Sequence, residues 1–103
     1  MKKILLSADS NISVFAVPDN VADNLSQYCL EFCCNWLYKS PNADKYRVKT
    51  GDVIGVCYTG KNFIDYLNQY ICDEQSALIT TLANVYVGDK LPDEYAGLPY
   101  FNF

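Results

Sequence analysis

Hydrophobic positions recur with the period of an α-helix between residues 18 and 40. At 100° per residue, one side of this segment carries the apolar side chains Val21, Leu25, Tyr28, Cys29, Phe32 and Trp36. The opposite side carries polar residues at four-residue intervals, namely Asp23, Gln27, Glu31 and Asn35. The pattern therefore predicts one long amphipathic helix that covers a sheet.

The ends of this helix are indicated by residue type. Asp19 or Asn20 can accept a hydrogen bond from an N–H group of the first turn, and Pro41 cannot continue a helix because it lacks an N–H. Leu30 and Leu37 lie outside the apolar stripe. Their position predicts that the helix packs against a second partner as well as the sheet.

Two pairs of short segments predict β-hairpins. Residues 2–7 and 12–17 are separated by a turn-forming cluster, and residues 45–49 and 53–58 flank Thr50-Gly51-Asp52. Segment 12–17 is apolar on both faces, which is typical of a central strand, whereas the charges of 45–49 are typical of an edge strand. Segment 53–58 is apolar enough to lie inside the sheet. Joined together, the two hairpins would form an antiparallel sheet of about four strands.

The remaining segments predict shorter elements. Apolar residues spaced by three or four positions predict a second helix over 61–72. Residues 76–83 fit a helix or a strand, residues 85–87 fit a short strand, and residues 92–95 fit one helical turn that begins with proline. The predicted fold class is α+β, with one domain over residues 1–103 whose sheet is packed by the long helix and one or two shorter helices.

The charge balance argues against a general nucleic-acid binder. The chain has 103 residues, 12 acidic and 8 basic, and a formal net charge of −4, whereas proteins that bind phosphate backbones are usually basic. A local exception is the strand at 45–49, where Lys45, Arg47 and Lys49 alternate with Tyr46, a ring on which a base could stack. Nucleic-acid binding through this strand is a second alternative to the functions considered below.

Several other classes are disfavoured by composition. No apolar run approaches the roughly 20 residues that cross a membrane, so no membrane partner is expected. The five cysteines are odd in number and do not form a disulfide framework, which favours a reducing, cytoplasmic location. A metal site shared by four of them is disfavoured because no CxxC pair occurs, and buried cysteine usually packs as a small hydrophobe. No metal or cofactor is predicted, and without a histidine to activate a thiol we predict no enzyme.

The segment from Gly55 to Lys61 has the spacing of a phosphate-binding loop, in which backbone N–H groups and a lysine hold phosphate. Asn62, however, replaces the hydroxyl residue that would bind magnesium. The simpler interpretation is a strand-to-helix turn in which Gly60 supplies an unusual backbone angle. Gly60 and Lys61 are the candidate ligand residues of an alternative function, the binding of a phosphate or nucleotide ligand.

Aromatic residues are frequent, with nine tyrosines and five phenylalanines. Tyrosine is enriched at protein interfaces because it supplies contact area and a polar tip. The last third of the chain combines aromatic and acidic residues in a candidate protein-interaction surface, consisting of Tyr86, Asp89, Asp93, Glu94, Tyr95, Tyr100, Phe101 and Phe103. The same aromatic rings could instead pack on the core of the chain itself.

Five strings carry a resemblance to a family: Val17-Pro18-Asp19, Lys45-Tyr46-Arg47-Val48, Gly55-Val56-Cys57-Tyr58, Phe63-Ile64-Asp65-Tyr66-Leu67-Asn68 and Pro99-Tyr100-Phe101-Asn102-Phe103. Together they resemble short bacterial proteins with no assigned function, from genomes rich in mobile elements. The resemblance implies a bacterial or phage protein and transfers no functional residue. The leading hypothesis is a small acidic, non-enzymatic module, such as an accessory or inhibitor protein of a mobile element, whose partner is another protein. The sequence does not determine the oligomeric state.

Overall fold

The computed structural model describes residues 1–7, 11–86 and 90–103, except for the side chains of Ala83, Asn84 and Tyr86. Its strands are β1 (Lys2–Ser7), β2 (Asn11–Val17), β3 (Arg47–Thr50), β4 (Val53–Val56), β5 (Ala77–Tyr86) and β6 (Tyr100–Asn102). Its helices are α1 (Asp19–Asp23), α2 (residues 25–39), a 3-10 helix (Pro41–Tyr46) and α3 (residues 60–71). Helix α2 has π-helical hydrogen bonds over Glu31–Trp36, and α3 has them over Leu67–Ile71. The predicted α+β class is confirmed.

Four strands form one mixed sheet in the order β5-β2-β1-β6. The first predicted hairpin is confirmed, because β1 and β2 are antiparallel with Lys2 opposite Val17 and Ser7 opposite Ile12. Strand β2 is central, as its two apolar faces predicted. Strand β5 runs antiparallel to β2, whereas β6 runs parallel to β1 with Tyr100 opposite Leu5.

The second predicted hairpin forms, but it does not join this sheet. Strands β3 and β4 make a separate two-stranded sheet in which Arg47 is opposite Val56. The expectation that the hairpins pair does not hold because β5 and β6 occupy both flanks of the β1–β2 pair. Strand β4 is therefore not internal, and its Val53 and Ile54 side chains are exposed.

The helix predicted for residues 18–40 is interrupted at Asn24, where φ is −131° and ψ is 37°. The Asn24 side chain donates to the carbonyl of Asn20. At the start of α1, the Pro18 carbonyl accepts from the N–H groups of Val21 and Ala22, whereas no side chain caps this helix. The predicted end is confirmed, because α2 stops at Lys39 immediately before Ser40 and the 3-10 helix.

The two faces of the sheet are covered by different parts of the chain. The helices cover the face of Ile4, Leu6, Phe15 and Val17, where Phe32 and Phe63 are completely buried. Residues 91–98 lie over the other face, where Leu91, Tyr95 and Leu98, together with Tyr100 of β6, pack against Leu5, Ile12 and Val14. Of the two leucines that predicted a second packing partner for the long helix, Leu37 is buried in the main core and Leu30 is exposed.

The two uncertain segments of the C-terminal third are now assigned. Of residues 76–83, all but Ser76 belong to a strand rather than a helix, since β5 begins at Ala77. The strand expected at residues 85–87 is the end of β5 up to Tyr86, and residue 87 lies outside the described residues. Residues 92–95 form a turn closed by the Tyr95 N–H and the Pro92 carbonyl at 2.9 Å. Across the described ranges, every helix is too short or too polar to cross a bilayer.

Candidate functional site

Strand β5 is a ten-residue strand at one edge of the main sheet. Its inner side pairs with β2, and within residues 1–7, 11–86 and 90–103 no strand pairs with its outer side. Its sequence contains neither a charged residue nor a proline. Edge strands commonly carry such residues, which discourage pairing with another chain. The outer N–H and C=O groups of β5 thus lack protection by charge or proline, although the pairing of β5 with β2 is irregular at residues 79 and 82–85.

Two large apolar side chains are exposed at the start of this edge. Leu78 is 58% exposed and Ile79 is 46% exposed. The register steps from Phe15 opposite Leu78 to Val14 opposite Thr80, so Ile79 is the extra residue of a β-bulge. The edge therefore offers apolar contacts as well as backbone hydrogen-bonding groups.

A cleft of about 560 Å³ lies between the start of β5 and helix α3. Leu78 and Phe15 are opposite each other and share the helix-covered face of the sheet, yet Phe15 is buried and Leu78 is not. Helix α3 therefore covers this face of the sheet only as far as β2, and the cleft lies beyond it, beside β5. Leu6, Phe15, Ile64 and Leu78 contribute its apolar walls.

Gly60 and Lys61, the two predicted ligand residues, both line this cleft. Gly60 is the first residue of α3, and a Cβ atom there would lie 3.3 Å from the Leu6 Cβ. Close packing on β1 thus favours glycine at this position. The expected unusual backbone angle is absent at Gly60, since among the described glycines the positive φ belongs to Gly51, at 61°. The Lys61 side chain is exposed at the cleft.

Asn62, the residue that departs from the phosphate-loop pattern, caps the start of α3. Its side-chain oxygen accepts the N–H of Thr59 at 2.8 Å. The Thr59 carbonyl in turn accepts the N–H groups of Asn62 and Phe63, at 3.1 and 3.3 Å. The residue that disqualified a magnesium-binding loop therefore fixes the start of the helix that presents Lys61.

Ser76 is a cleft residue that the sequence did not indicate. Its main chain is held by Asn68, whose side chain accepts the Ser76 N–H at 2.8 Å and donates to the Ser76 carbonyl at 3.0 Å. The residue is 6% exposed, and its Oγ has no hydrogen-bond partner among the residues described here. A serine in a short linker shows no distinctive pattern, so only the fold reveals it.

The residues of the predicted C-terminal interaction surface are divided between several environments. Tyr95 and Tyr100 pack on the second core cluster, and Phe101 and Phe103 pack against the main core. Asp93 and Glu94 are exposed in the turn that follows Pro92. Asp89 and the side chain of Tyr86 lie outside what the structure describes. The aromatic rings that are described are half-buried, and the acidic side chains beside them are exposed.

The strand predicted at 45–49 is strand only from Arg47, because residues 45 and 46 end the 3-10 helix, and two of its cations are engaged within the protein. The Arg47 Nε donates to the Leu37 carbonyl at 2.8 Å, and its terminal nitrogens contact Asp44 and the Ser40 carbonyl. The Lys45 ammonium lies 5.1 Å from the centre of the Tyr46 ring, in a cation–π contact. Arg47 thus joins the β3–β4 hairpin to the end of α2.

The cysteines do not gather into a ligand set. Cys29 is buried, Cys33 and Cys72 are half-buried, and Cys34 and Cys57 are exposed. Among the described residues, no group of three or more His, Cys, Asp or Glu side chains is placed to hold a metal ion.

The outer edge of β5 and the adjoining cleft form the candidate site, because they combine unprotected backbone groups, exposed apolar side chains and an unpaired buried hydroxyl. Comparison of the chain with protein-family models, with curated proteins and with solved structures finds no match.

Proposed function

We propose that this protein is a binding module for another polypeptide, which adds an extended strand to the outer edge of β5. The observation that carries the proposal is the edge itself, ten residues without charge or proline and without an outer neighbour in the described part of the chain. In strand addition, main-chain hydrogen bonds supply affinity and pockets for alternate side chains supply specificity. The leading hypothesis of a non-enzymatic protein-binding module is kept, with β5 as its surface.

The exposed side chains define what the added strand would offer. Leu78 and Ile79 favour an apolar residue at the facing position, because burying their exposed surface is favourable. Lys61 lies on the cleft side of β5 and favours a nearby acidic residue. The partner is therefore an extended segment that combines apolar and acidic side chains.

Affinity capture from the source cell with matched variants tests this surface. Ile79→Lys places a charge on the β5 edge and is expected to abolish capture of the partner, since its ammonium would be desolvated by an added strand. Ile54→Lys is the control, because Ile54 is similarly exposed, at 53%, on the separate β3–β4 hairpin. It is expected to retain the partner.

A second pair of variants distinguishes β5 from the acidic C-terminal surface. Replacing Asp93 by Asn and Glu94 by Gln together removes two exposed charges without touching β5. This double variant is expected to capture the same partner as the unmodified protein. Loss of the partner in the double variant, together with its retention by Ile79→Lys, would assign binding to the C-terminal surface instead.

A further inference from the structure

Two adjacent cysteines of α2 place their thiol groups in contact. The Sγ atoms of Cys33 and Cys34 are 3.6 Å apart, within the range of a hydrogen bond between sulfurs. Cys34 is exposed, whereas Cys33 is half-buried and packs against the main core. The five cysteines do not gather into one ligand set, but these two form a dithiol that solvent reaches at Cys34.

The backbone that carries this pair is anchored on both sides. Phe32 comes directly before it and is completely buried, with its ring 5.5 Å from that of Phe63. Trp36 follows the pair, and its ring lies 4.9 Å from that of Tyr66. Both anchors belong to the π-helical segment Glu31–Trp36. The spacing of the two sulfurs is therefore set before a ligand binds, and little conformational entropy is lost on binding.

A disulfide between these two residues is disfavoured by the backbone. Consecutive Cα atoms are about 3.8 Å apart, whereas the Cα atoms of disulfide-bonded cysteines are usually about 4.4–6.8 Å apart. The sulfurs would also have to approach from 3.6 Å to about 2.0 Å, although the anchored helix holds them in place. The pair is therefore better suited to holding a third atom between its sulfurs than to a direct sulfur–sulfur bond.

The distance between the sulfurs indicates the geometry of that atom. With two sulfur bonds of about 2.3 Å, the length of zinc–sulfur bonds in proteins, sulfurs 3.6 Å apart give an angle of about 103° at the central atom. Such an angle fits tetrahedral zinc and pyramidal trivalent arsenic, whose bonds to sulfur have similar lengths. Structural zinc takes four protein ligands, and the described residues offer no group of three or more His, Cys, Asp or Glu side chains for a metal ion. Trivalent arsenic needs only the two thiols, because its third bond can be to an organic group.

A groove beside Cys34 provides space for an organic group on arsenic. It has a volume of about 810 Å³ and lies between α2 and the end of α3. Leu30 and Ile71 contribute apolar wall and are 49% and 44% exposed, so each has apolar surface left to bury. Glu31 also lines the groove and disfavours an anionic group there. The groove therefore favours an apolar, uncharged substituent.

We propose that Cys33 and Cys34 together bind a trivalent arsenic compound that has one apolar organic substituent and two hydroxyl groups. Each thiol proton leaves as water with one arsenic hydroxyl, so two sulfur–arsenic bonds replace two oxygen–arsenic bonds. Arsenic remains trivalent, and no oxidant or reductant takes part. The product carries no charge, which suits the half-buried position of Cys33, since burial of an unpaired charge is costly.

Intact-protein mass spectrometry with phenylarsine oxide, the dehydrated form of such a compound, tests the site. The reduced protein is expected to gain one phenylarsenic group per chain, and this adduct should persist in an excess of glutathione, a monothiol. An excess of ethanedithiol should remove it, because a second dithiol can replace both sulfur–arsenic bonds. Arsenous acid should bind more weakly than the phenyl compound, since it lacks an apolar group for the groove.

Cys34→Ser is the decisive variant, because Cys34 is exposed and its replacement should leave the melting temperature unchanged. It is expected to weaken the binding of phenylarsine oxide at least about a hundredfold, since the gain from attachment at two points is lost. Cys57→Ser is the matched control, at an exposed cysteine outside the helices, and should retain full binding. Neither Cys33 nor Cys34 lines the cleft beside β5. Ile79→Lys, the variant that tests strand addition, should therefore bind phenylarsine oxide normally, and each proposal can fail without the other.

Full binding of phenylarsine oxide by Cys34→Ser would overturn the proposal. So would complete displacement of the arsenic group from the unmodified protein by glutathione, which is typical of a single sulfur–arsenic bond. This competition does not depend on the folding of any variant. Loss of binding in Cys29→Ser with retention in Cys34→Ser would also contradict the site, because it would assign the arsenic to Cys29 and Cys33.

Discussion

Gly60, at the start of α3, lies so close to Leu6 of β1 that an added Cβ would be 3.3 Å from the Leu6 Cβ. Leu6 is buried, which limits how far its side chain can shift. We expect Gly60→Ala to destabilise the protein by about 1–2 kcal/mol, the usual cost of overpacking a core by one carbon. Urea unfolding measures this change.

Gly97→Ala is the matched control for this substitution. A Cβ at Gly97 would meet no atom within 4 Å, and its φ lies outside the left-handed region. Its effect should stay within about 0.5 kcal/mol, as for ordinary surface positions. If Gly60→Ala proved as stable as the control, Leu6 would have room to shift, and the packing of α3 on β1 would be looser than described.

The last residue of the chain is part of the aromatic core. The Phe103 ring lies 5.3 Å from that of Tyr58 and 5.8 Å from that of Phe63, and its N–H donates to the Ser7 carbonyl at 2.8 Å. Phe103→Ala is expected to cost about 2 kcal/mol, less than for a fully buried phenylalanine because this ring is half-buried.

Tyr38→Ala provides the comparison, since Tyr38 is an aromatic residue of α2 that is 48% exposed. Chemical denaturation of both variants should show the larger loss at Phe103. If the two variants lost equal unfolding free energy, the Phe103 ring would contribute no more to stability than an exposed aromatic residue and would not be part of the core.

Arg47 holds the β3–β4 hairpin against the end of α2 through Leu37, Ser40 and Asp44. Arg47→Lys should cost about 1–2 kcal/mol, because a single ammonium cannot reproduce a planar fork with several donors. Hydrogen exchange in β3 and β4 should also become faster, since an isolated two-stranded hairpin is marginally stable. Lys49→Ala should affect neither measurement. If Arg47→Lys were as stable as the unmodified protein, a multidentate role for Arg47 would be contradicted.

Stability should decrease at alkaline pH because several groups that ionise there are buried or half-buried in their neutral form. Burial raises the pKa of Cys33 to about 11, from an ordinary value of 9.0, with the neighbouring Cys34 adding to the shift. Burial also raises the pKa of Tyr58 and of Tyr66 to about 12, from 10.0. In the unfolded chain these groups lose their protons at lower pH, so alkaline pH favours unfolding.

The stability from these groups is fully present below about pH 9 and is lost as pH rises from about 9 towards 12. The free energy of unfolding, measured in urea at a series of pH values, should therefore fall above pH 9. The chain has no histidine, so little change is expected between about pH 6 and pH 8. Tyr58→Phe should reduce the alkaline slope, and the absence of any slope between pH 9 and pH 12 would show that the three side chains are solvated in the folded protein.

Elements with a strong local pattern were predictable from the sequence. The β1–β2 hairpin, the apolar side of α2 and the position of α3 all follow from period and turn residues within one segment. The break at Asn24 could not be predicted, because the apolar stripe continues past this residue. In the structure, the Asn24 side chain donates to the Asn20 carbonyl, four residues earlier in the chain.

Long-range pairing was not predictable from such patterns. Strand β6 has three residues, and its parallel partner β1 lies at the other end of the chain. Segment 76–83 contains Ile79, Thr80 and Thr81, which favour a strand, but its spacing also fits a helix. In the candidate site, the glycine–lysine pair was visible in the sequence. Ser76 was not, because its importance comes from burial and from Asn68, which only the tertiary structure brings to it.

Hydrogen exchange of the amides of β5, compared between the free protein and its complex with the captured partner, tests the central proposal most directly. If a partner strand adds to β5, exchange should slow within residues 77–82, at the N–H groups that point away from β2. Unchanged exchange in β5, with protection confined to residues 91–95, would contradict strand addition and would assign the interaction to the C-terminal surface.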